Sequence, residues 1–273
     1  MLKNIGVSFV GGGNMASAII DAILSSKKIA PGRISVFDPF EEKQISFKEK
    51  GVCVSESNIR LASDDASVLF LAVKPQMIDS VLEELKGKVK SKCVVSIAAG
   101  VSTSHIKNIL GEDIPVIRAL PNTPMLVLEG MTVVASAPEV DKELFDFVLS
   151  IFKTAGEVMV IPEEKMNEVI PLSSSSPAFF FRILHAMALS GAKNGISYSD
   201  SLKLSSEAMK GSAQYLLSTD KTAEELIRQV SSPGGTTIAA LSAFDDFGFE
   251  GFIDEVTKRC IDRAYELGKK QKK

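Results

Sequence analysis

A strand, a glycine-rich turn and a helix open the chain, and this unit constrains the fold more than any other feature. Residues 4–10 are a short, mostly apolar run, and Gly11–Ala16 follows at once. Apolar residues then recur at helical spacing, at Met15, Ile19, Ala22 and Ile23. Gly11, Gly13 and Ala16 match the dinucleotide-binding fingerprint: a tight turn, a close backbone approach to pyrophosphate, and close helix–strand packing. The unit therefore predicts dinucleotide binding; a plain strand–helix turn is the alternative.

Strands and helices alternate from this unit to about residue 162. Short apolar runs predict further strands at 33–37, 68–73, 93–98, 115–120, 131–135 and 157–161. Helical spacing predicts helices at 41–50, 76–86, 103–110 and 139–153. The unbroken apolar run Val68–Val73 is typical of a strand buried on both faces of a parallel sheet. We therefore predict an α/β fold, a Rossmann-like doubly wound parallel sheet, over residues 1–162.

Ligands of such sheets bind at the carboxyl ends of the strands. Those ends carry Gly11–Ala16, Asp38, Ala72–Pro75, Ala98–Gly100 and Pro121–Pro124. Asp38 stands where an acid holds the ribose 2′-hydroxyl of a dinucleotide, although it could instead cap the following helix. A carboxylate there repels a 2′-phosphate, and Lys43 is the nearest cation in the sequence. We therefore predict that NADH is used at least as well as NADPH.

No strand-like run follows Pro162. Helices are predicted at 163–174, 177–194, 199–217, 221–230, 235–244 and 249–268, which makes residues 163–273 an all-α domain. Several of these helices, including the one with Phe179–Phe181, are apolar on more than one side. We expect them to pack against a second copy of the chain, with a self-sufficient bundle as the alternative.

The segment Ser231–Thr237 interrupts these helices. Pro233, Gly234 and Gly235 end one helix, and Thr236 or Thr237 can cap the next. A glycine-rich turn that leads into a helix leaves backbone N–H groups free to bind an anion such as a carboxylate. The segment predicts an anion site, although capped turns of this kind are also common without any ligand.

Composition narrows the class of protein. The net charge is −3 without a long basic patch, which argues against nucleic-acid binding, and the basic tail 269–273 is interpreted as a solvated terminus. No apolar run reaches the length of a membrane span, and the N-terminal residues resemble a strand rather than a cleavable leader. Three scattered cysteines, without CxxC or HxxxH spacing, predict reduced, mostly buried thiols, no metal site and a cytoplasmic location.

Histidine chemistry is not expected. His105 is predicted to be solvated at a helix start, and His185 is predicted to lie in a helical core. The sequence therefore offers no evident His–carboxylate pair of the kind that hydroxy-acid dehydrogenases use as acid and base.

Five motifs carry a family resemblance: Gly11–Met15, Ala72–Gln76, Arg118–Pro124, Ser176–Phe179 and Val230–Thr237. In type, order and spacing they resemble the pyrroline-5-carboxylate reductase family over nearly the whole chain. The resemblance implies reduction of the cyclic imine L-1-pyrroline-5-carboxylate to L-proline by NADPH or NADH, the final step of proline biosynthesis. It also implies a helical dimerisation domain at 163–273 that intertwines two chains, and dimers often assembled into decamers.

The same resemblance assigns site residues. Cofactor contacts are implied for Val10, Gly11, Gly12, Gly13, Asn14, Met15, Asn58, Ala72, Val73, Lys74, Pro75, Ile97, Ala98 and Ala99. Substrate contacts are implied for Glu163, Gly234, Gly235, Thr236 and Thr237. Of these, the Thr237 hydroxyl is the catalytic group that reaches the ring nitrogen. The chain departs from the family pattern at Ser174 and Ser176, which replace two glycines.

Two alternatives stay open. A dehydrogenase of the β-hydroxyacid class also joins a Rossmann domain to helices and uses a helix lysine, for which Lys193 is the candidate. Lys193 is at a predicted helix end, where it is more simply a charge that favours the helix terminus. A non-catalytic dinucleotide-sensing protein is the second alternative, and it would not need the Thr237 hydroxyl.

Overall fold

The structure is a computed structural model and describes residues 5–64, 66–90 and 93–270. Asn4, at the start of the first predicted strand, and tail residues 271–273 lie outside the described residues. The described chain forms two compact units. The first runs to Ser175 and resumes at Cys260, and the second is Ser176–Arg259. The domain boundary near residue 162 stays a prediction.

The first unit contains an eight-stranded sheet of order β3-β2-β1-β4-β5-β6-β7-β8. The strands are β1 Val7–Val10, β2 Ile34–Phe37, β3 Cys53–Val54, β4 Val68–Leu71, β5 Cys93–Ser96, β6 Val116–Leu120, β7 Gly130–Ala135 and β8 Gly156–Ile161. Neighbouring strands are parallel except β6 and β7, which are antiparallel. The predicted Rossmann-like sheet is confirmed, with this one antiparallel pair.

Helices connect the strands of this unit. They are α1 Asn14–Ser26, α2 Glu41–Glu49, α3 Asn58–Ser63, α4 Ile78–Leu85, α5 Thr103–Leu110 and α6 Lys142–Phe152. Short 3₁₀ turns lie at Pro31–Arg33, Pro75–Met77, Thr123–Val127, Lys153–Ala155 and Glu163–Lys165. Strand β3 and helix α3 were not predicted, because two and six residues are too short to show a period.

The central strand β4 supplies apolar side chains to both faces of the sheet. Val68 and Phe70 belong to one core, in which the Phe70 ring stacks on Phe9 at 4.5 Å between centroids. Leu69 and Leu71 belong to the core on the opposite face. Successive side chains of a strand point to opposite faces, so an unbroken apolar run can serve two cores.

The helix predicted at 163–174 is wrong. The segment forms the 3₁₀ turn Glu163–Lys165 and a π-helical turn at Ile170–Ser174. Pro171 lacks a backbone N–H and cannot continue a regular α-helix ladder. The ladder instead widens, and the Ser175 N–H donates to the Ile170 carbonyl.

The second unit is helical. It holds α7 Ser176–Lys193, α8 Tyr198–Leu217, α9 Ala223–Val230, α10 Thr236–Asp246 and the first half of α11, Phe249–Lys270. Helices α7 and α8 pack closely where Gly191 meets Ser201. Large apolar side chains stay exposed in the single chain, among them Phe181 at 63%, Leu204 at 64% and Leu217 at 83%. A single copy therefore leaves much apolar surface in water, which disfavours a self-sufficient bundle.

Within the described residues, no helix is both long and apolar enough to cross a membrane.

Candidate active site

The glycine turn after β1 has room only for glycine at its first position. Gly11 has a φ of +94°, and a Cβ there would lie 2.9 Å from the Ala72 carbonyl oxygen. The Gly11 N–H donates to the Phe37 carbonyl, and the Ala72 N–H donates to the Val10 carbonyl, both at 2.8 Å. The turn is therefore fixed between the carboxyl ends of β2 and β4.

Helix α1 begins with its N–H groups available. Its N-cap is Gly13, and no side chain of the described residues caps it. A Cβ on Gly13 would meet no described heavy atom within 4 Å, so this position faces open space. The first turn, Asn14–Ser17, contains no acid, and Ala16 is fully buried against the sheet. Such a helix start favours an anion, as in a bound pyrophosphate.

A cavity of about 410 Å³ lies in front of this helix start. It is lined by Gly13, Asn14, Met15, Lys43, Ala72, Val73, Lys74, Ile97 and Pro121. These residues follow β1, β4, β5 and β6, or lie on α2. The chain adds β2 and β3 on one side of β1 and β4 to β8 on the other, so the cavity lies at the point beside β1 where the strand order reverses. Open backbone at Gly13, free N–H groups and two lysines fit a dinucleotide with its phosphates.

Seven of the predicted cofactor residues meet at this cavity, and the others do not line it. Val10 ends β1, and Gly11, Gly12, Pro75, Ala98 and Ala99 stand close in sequence to the lining residues. Asn58 lies on α3 and donates through Nδ2 to Glu84 Oε2 at 3.0 Å. Its Oδ1 is buried with no hydrogen-bond partner among the described residues. The roles of these residues toward a cofactor stay predictions.

Asp38 is turned inward. It is 6% exposed; Oδ2 accepts from the Gly12 N–H at 2.8 Å, and Oδ1 accepts from the Phe40 N–H at 3.1 Å. Lys43 Nζ stands 3.5 Å from Oδ2. The capping alternative is wrong, since the N-cap of α2 is Phe40 and no described side chain caps that helix. The carboxylate instead links the glycine turn to the end of β2.

Glu163 joins the segment after β8 to the start of α5. Its Oε1 accepts from the Thr103 N–H at 2.7 Å, and its Oε2 accepts from the Thr103 hydroxyl. The carboxylate thus satisfies a free donor at the N-terminus of α5, beside the Ser102 cap. Its predicted contact with substrate stays a prediction.

Arg118 lies on β6 and is 4% exposed. Its Nη2 donates to Asn167 Oδ1 at 2.7 Å. Burial lowers the pKa of the guanidinium, and the nearby Glu163, Glu168 and Tyr265 act against that lowering. The hydrogen bond ties β6 to the segment after β8, while Arg118 Nε is buried without a hydrogen-bond partner among the described residues.

The segment Ser231–Thr237 lies in the helical unit. Gly234 has a φ of +72°, and Gly235 takes the extended conformation of an N-cap. The predicted capping by Thr236 or Thr237 is wrong, because both are already the first residues of α10. In the part of the chain that the structure describes, no side chain caps α10, and its first turn is not acidic. The α10 N–H groups and the two threonine hydroxyls therefore remain suited to an anion.

The prediction of a solvated His105 is wrong, whereas that of a core His185 stays a prediction. His105 is paired rather than solvated, with Nε2 2.6 Å from Asp79 Oδ1 between α5 and α4. A His–carboxylate pair therefore exists, but neither residue lines the cavity. His185 is exposed in the single chain, and its Nδ1 lies 2.9 Å from the Tyr198 hydroxyl.

The thiols differ from one another in exposure. All three are free, but only Cys93 is buried, so the expectation of mostly buried thiols is wrong. Among the described residues, no group of three or more His, Cys, Asp or Glu could hold a metal ion.

Comparisons with known proteins agree along the whole chain. Residues 163–267 match the family described as "Pyrroline-5-carboxylate reductase dimerisation", and residues 6–100 match "NADP oxidoreductase coenzyme F420-dependent". The pyrroline-5-carboxylate reductase of Escherichia coli is 37% identical over 98% of this chain and 100% of its own. That of Corynebacterium melassecola is 33% identical over 96% and 98%.

Solved structures give the same result. The pyrroline-5-carboxylate reductase of Coxiella burnetii superposes with a TM-score of 0.87 at 32% identity, over 97% of this chain and 99% of that one. The Plasmodium falciparum pyrroline carboxylate reductase with NADP bound gives a TM-score of 0.89 at 26% identity, with the same coverage. The chain therefore belongs to the pyrroline-5-carboxylate reductase family, NAD(P)-dependent oxidoreductases of proline biosynthesis.

Proposed function

We propose that this chain reduces L-1-pyrroline-5-carboxylate to L-proline with NADPH or NADH. The observation that carries the proposal is the cavity at the uncapped start of α1, in a chain that aligns over 98% of its length with a curated enzyme of that name. The reduced cofactor and the cyclic imine fit one reaction, a hydride transfer to a C=N bond.

The first unit binds the cofactor. The N–H groups at the start of α1 hold the pyrophosphate, and Gly13 lets the backbone approach it. Val73 and Ile97 provide apolar walls of the same cavity, and Lys74 supplies positive charge. NAD(P)H, when bound, supplies the hydride. The protein's task at this site is to position the cofactor and to exclude water.

The turn Gly234–Thr237 binds the substrate. The start of α10 holds the carboxylate through backbone N–H groups, as its uncapped and non-acidic first turn favours. The Thr237 hydroxyl accepts a hydrogen bond from the ring N–H of the protonated imine and so orients the imine carbon. Glu163 is retained as a further substrate residue, together with its link to Thr103.

No acidic side chain is required at the reacting atoms. The protonated imine is already electrophilic; as the hydride adds to its carbon, the C=N electron pair moves to nitrogen and leaves a secondary amine. Positioning therefore accounts for catalysis better than a histidine acid would. This fits a cavity that neither His105 nor His185 lines.

The working form is a homodimer, and a decamer is the larger assembly that the family resemblance implies. The exposed apolar side chains of α7 and α8 support the dimer, as does the dimerisation family matched over 163–267. A cytoplasmic location is supported by three free cysteines, because disulfides form and persist in oxidising compartments.

A substrate panel tests the proposal against its two rivals. Purified protein is assayed with NADPH and NADH against pyrroline-5-carboxylate, and with NADP⁺ and NAD⁺ against β-hydroxy acids. The proposal expects turnover on the imine alone. Turnover on hydroxy acids, lost in Lys193→Met, would support the β-hydroxyacid class, although Lys193 is exposed at the end of α7. Tight cofactor binding without any turnover would support a sensor.

A further inference from the structure

The last turns of α11 lie against the loop that follows β5. Residues from Cys260 onward belong to the first unit, although α11 begins in the second. Ala264 is 4% exposed and packs in a core cluster with Met166 and Ile170, against which Ala99 also packs. The C-terminal part of α11 is thus an integral part of the dinucleotide-binding unit.

Two glycines make the contact between helix and loop. Gly100 has a φ of +78°, and a Cβ on it would lie 3.1 Å from the Ala264 carbonyl oxygen and 3.2 Å from the Leu267 Cβ. A Cβ on Gly268 would lie 3.0 Å from the Gly100 carbonyl oxygen. The two backbones therefore approach closely, with the Leu267 Cβ beside Gly100, and neither glycine has room for a side chain.

Two polar contacts hold the same part of α11. The Tyr265 hydroxyl donates to Glu168 Oε1 at 2.6 Å, and Cys260 Sγ donates to Ser175 Oγ at 3.4 Å. Both partners lie on the segment between β8 and α7. The C-terminal half of α11 is therefore tied to this segment as well as to the loop at Gly100.

The loop that α11 contacts also forms part of the cavity. Residues 97–100 connect β5 to α5, and Ile97 lines the cavity three residues before Gly100. Ala98 and Val101 are almost fully buried, so the loop has little freedom to absorb a shift at one end. We therefore expect a displacement at Gly100 to shift Ile97 as well.

We propose that the C-terminal turns of α11 position the Ile97–Gly100 loop for cofactor binding, with Gly268 as the positioning residue. The proposal rests on the proposed function only in assigning NAD(P)H to the cavity. Nothing in it requires α11 to touch the cofactor or the substrate.

The test is Gly268→Ala, with Gly251→Ala as the matched control. Both glycines lie within α11, and a Cβ on Gly251 would meet no described heavy atom within 4 Å. Alanine favours a helix over glycine, so Gly251→Ala should melt at or above the parent temperature, whereas the contact with the Gly100 carbonyl opposes that gain in Gly268→Ala. A loop shifted by a few tenths of an ångström should raise the Kd of NADPH in Gly268→Ala by about threefold to tenfold. The Kd is measured by fluorescence titration without substrate.

An unchanged NADPH Kd in Gly268→Ala, or a rise equal to that in Gly251→Ala, would overturn the proposal. A lower melting temperature without a rise in Kd would also overturn it, because the contact would then be merely structural. Should Gly268→Ala fail to fold, Tyr265→Phe replaces it: loss of the bond to Glu168 is expected to weaken NADPH binding at an unchanged melting temperature. A parent that binds NADPH but does not reduce the imine refutes the proposed function and leaves this proposal standing.

Discussion

Asp38 and Lys43 are predicted to set the choice between NADPH and NADH. A carboxylate at the end of β2 is expected to oppose a 2′-phosphate, and Lys43 Nζ, 3.5 Å from Asp38 Oδ2, is expected to attract one. We expect the parent to use NADH at least as well as NADPH, and Asp38→Asn to shift the ratio of catalytic efficiencies toward NADPH. Lys43→Gln, which keeps Asp38, should shift it toward NADH.

The separation of the two charges gives the magnitude. At 3.5 Å between Lys43 Nζ and Asp38 Oδ2, Coulomb's law gives about 1 kcal/mol in water and about 5 kcal/mol at an effective dielectric of about 20. The Lys43 side chain is 40% exposed, so solvent screening places the coupling near the lower value, about 1 kcal/mol. Releasing Lys43 should therefore favour NADPH over NADH by about fivefold.

The assay is kcat/KM for each cofactor at saturating imine, in the parent and both variants. Asp38→Asn also leaves one of the Gly12 and Phe40 N–H groups without its acceptor, but that loss weakens both cofactors alike and cancels in the ratio. A parent with a strong preference for NADPH, or a ratio that Asp38→Asn does not move, would refute the reasoning. Asp38 would then act only on the glycine turn.

Three further predictions concern turnover, assembly and pH. Thr237→Ala should keep fold and cofactor affinity but lose about tenfold to a hundredfold in kcat, as expected for one lost hydrogen bond to a charged group, with Thr237→Ser milder; full activity in Thr237→Ala would remove the hydroxyl from the mechanism. Sedimentation at micromolar concentration should show a dimer, because the helices of the second unit expose large apolar side chains, and a folded monomer would contradict this. Burial and the nearby Glu139 charge raise the pKa of the Cys93 thiol from 9.0 to about 12. Between those pH values the unfolded chain releases a proton that the folded chain keeps, so the free energy of unfolding should fall by up to about 4 kcal/mol as pH rises. Urea unfolding from pH 8 to 11 should show a smaller fall in Cys93→Ala than in the parent. An equal fall in the two proteins would exclude the Cys93 thiol as the cause.

The sheet was predictable because its signals are local. The apolar run at Val68–Val73 indicated a strand buried on two faces, and the structure places alternate residues of the strand Val68–Leu71 in two cores. The helix predicted at 103–110 is observed as Thr103–Leu110, where the Ser102 side chain supplies the cap that a helix start requires. Periodicity and capping both depend on residues that are close in sequence.

The contacts of the candidate site were not predictable, because they join residues far apart in sequence. Asp38 meets the N–H of Gly12, and Glu163 meets Thr103, 60 positions away. Helical spacing or a strand tip indicates where such a carboxylate lies along the chain, but not which donor the tertiary fold brings to it. The pairing of His105 with Asp79 escaped prediction for the same reason.

The segment 163–174 shows a different limit. Its residues suit a helix by propensity, but Pro171 and the close packing of Met166 and Ile170 favour separate 3₁₀ and π turns. Tertiary packing overrode local preference there.

The central claim, hydride transfer to a cyclic imine, is tested most directly by product stoichiometry. Purified protein is mixed with L-1-pyrroline-5-carboxylate and a limiting amount of NADPH or NADH, and both the cofactor oxidised and the L-proline formed are quantified. We predict one L-proline for each reduced cofactor consumed, and no oxidation when the imine is left out. Oxidation of cofactor without proline, or no oxidation with either cofactor, would contradict the account.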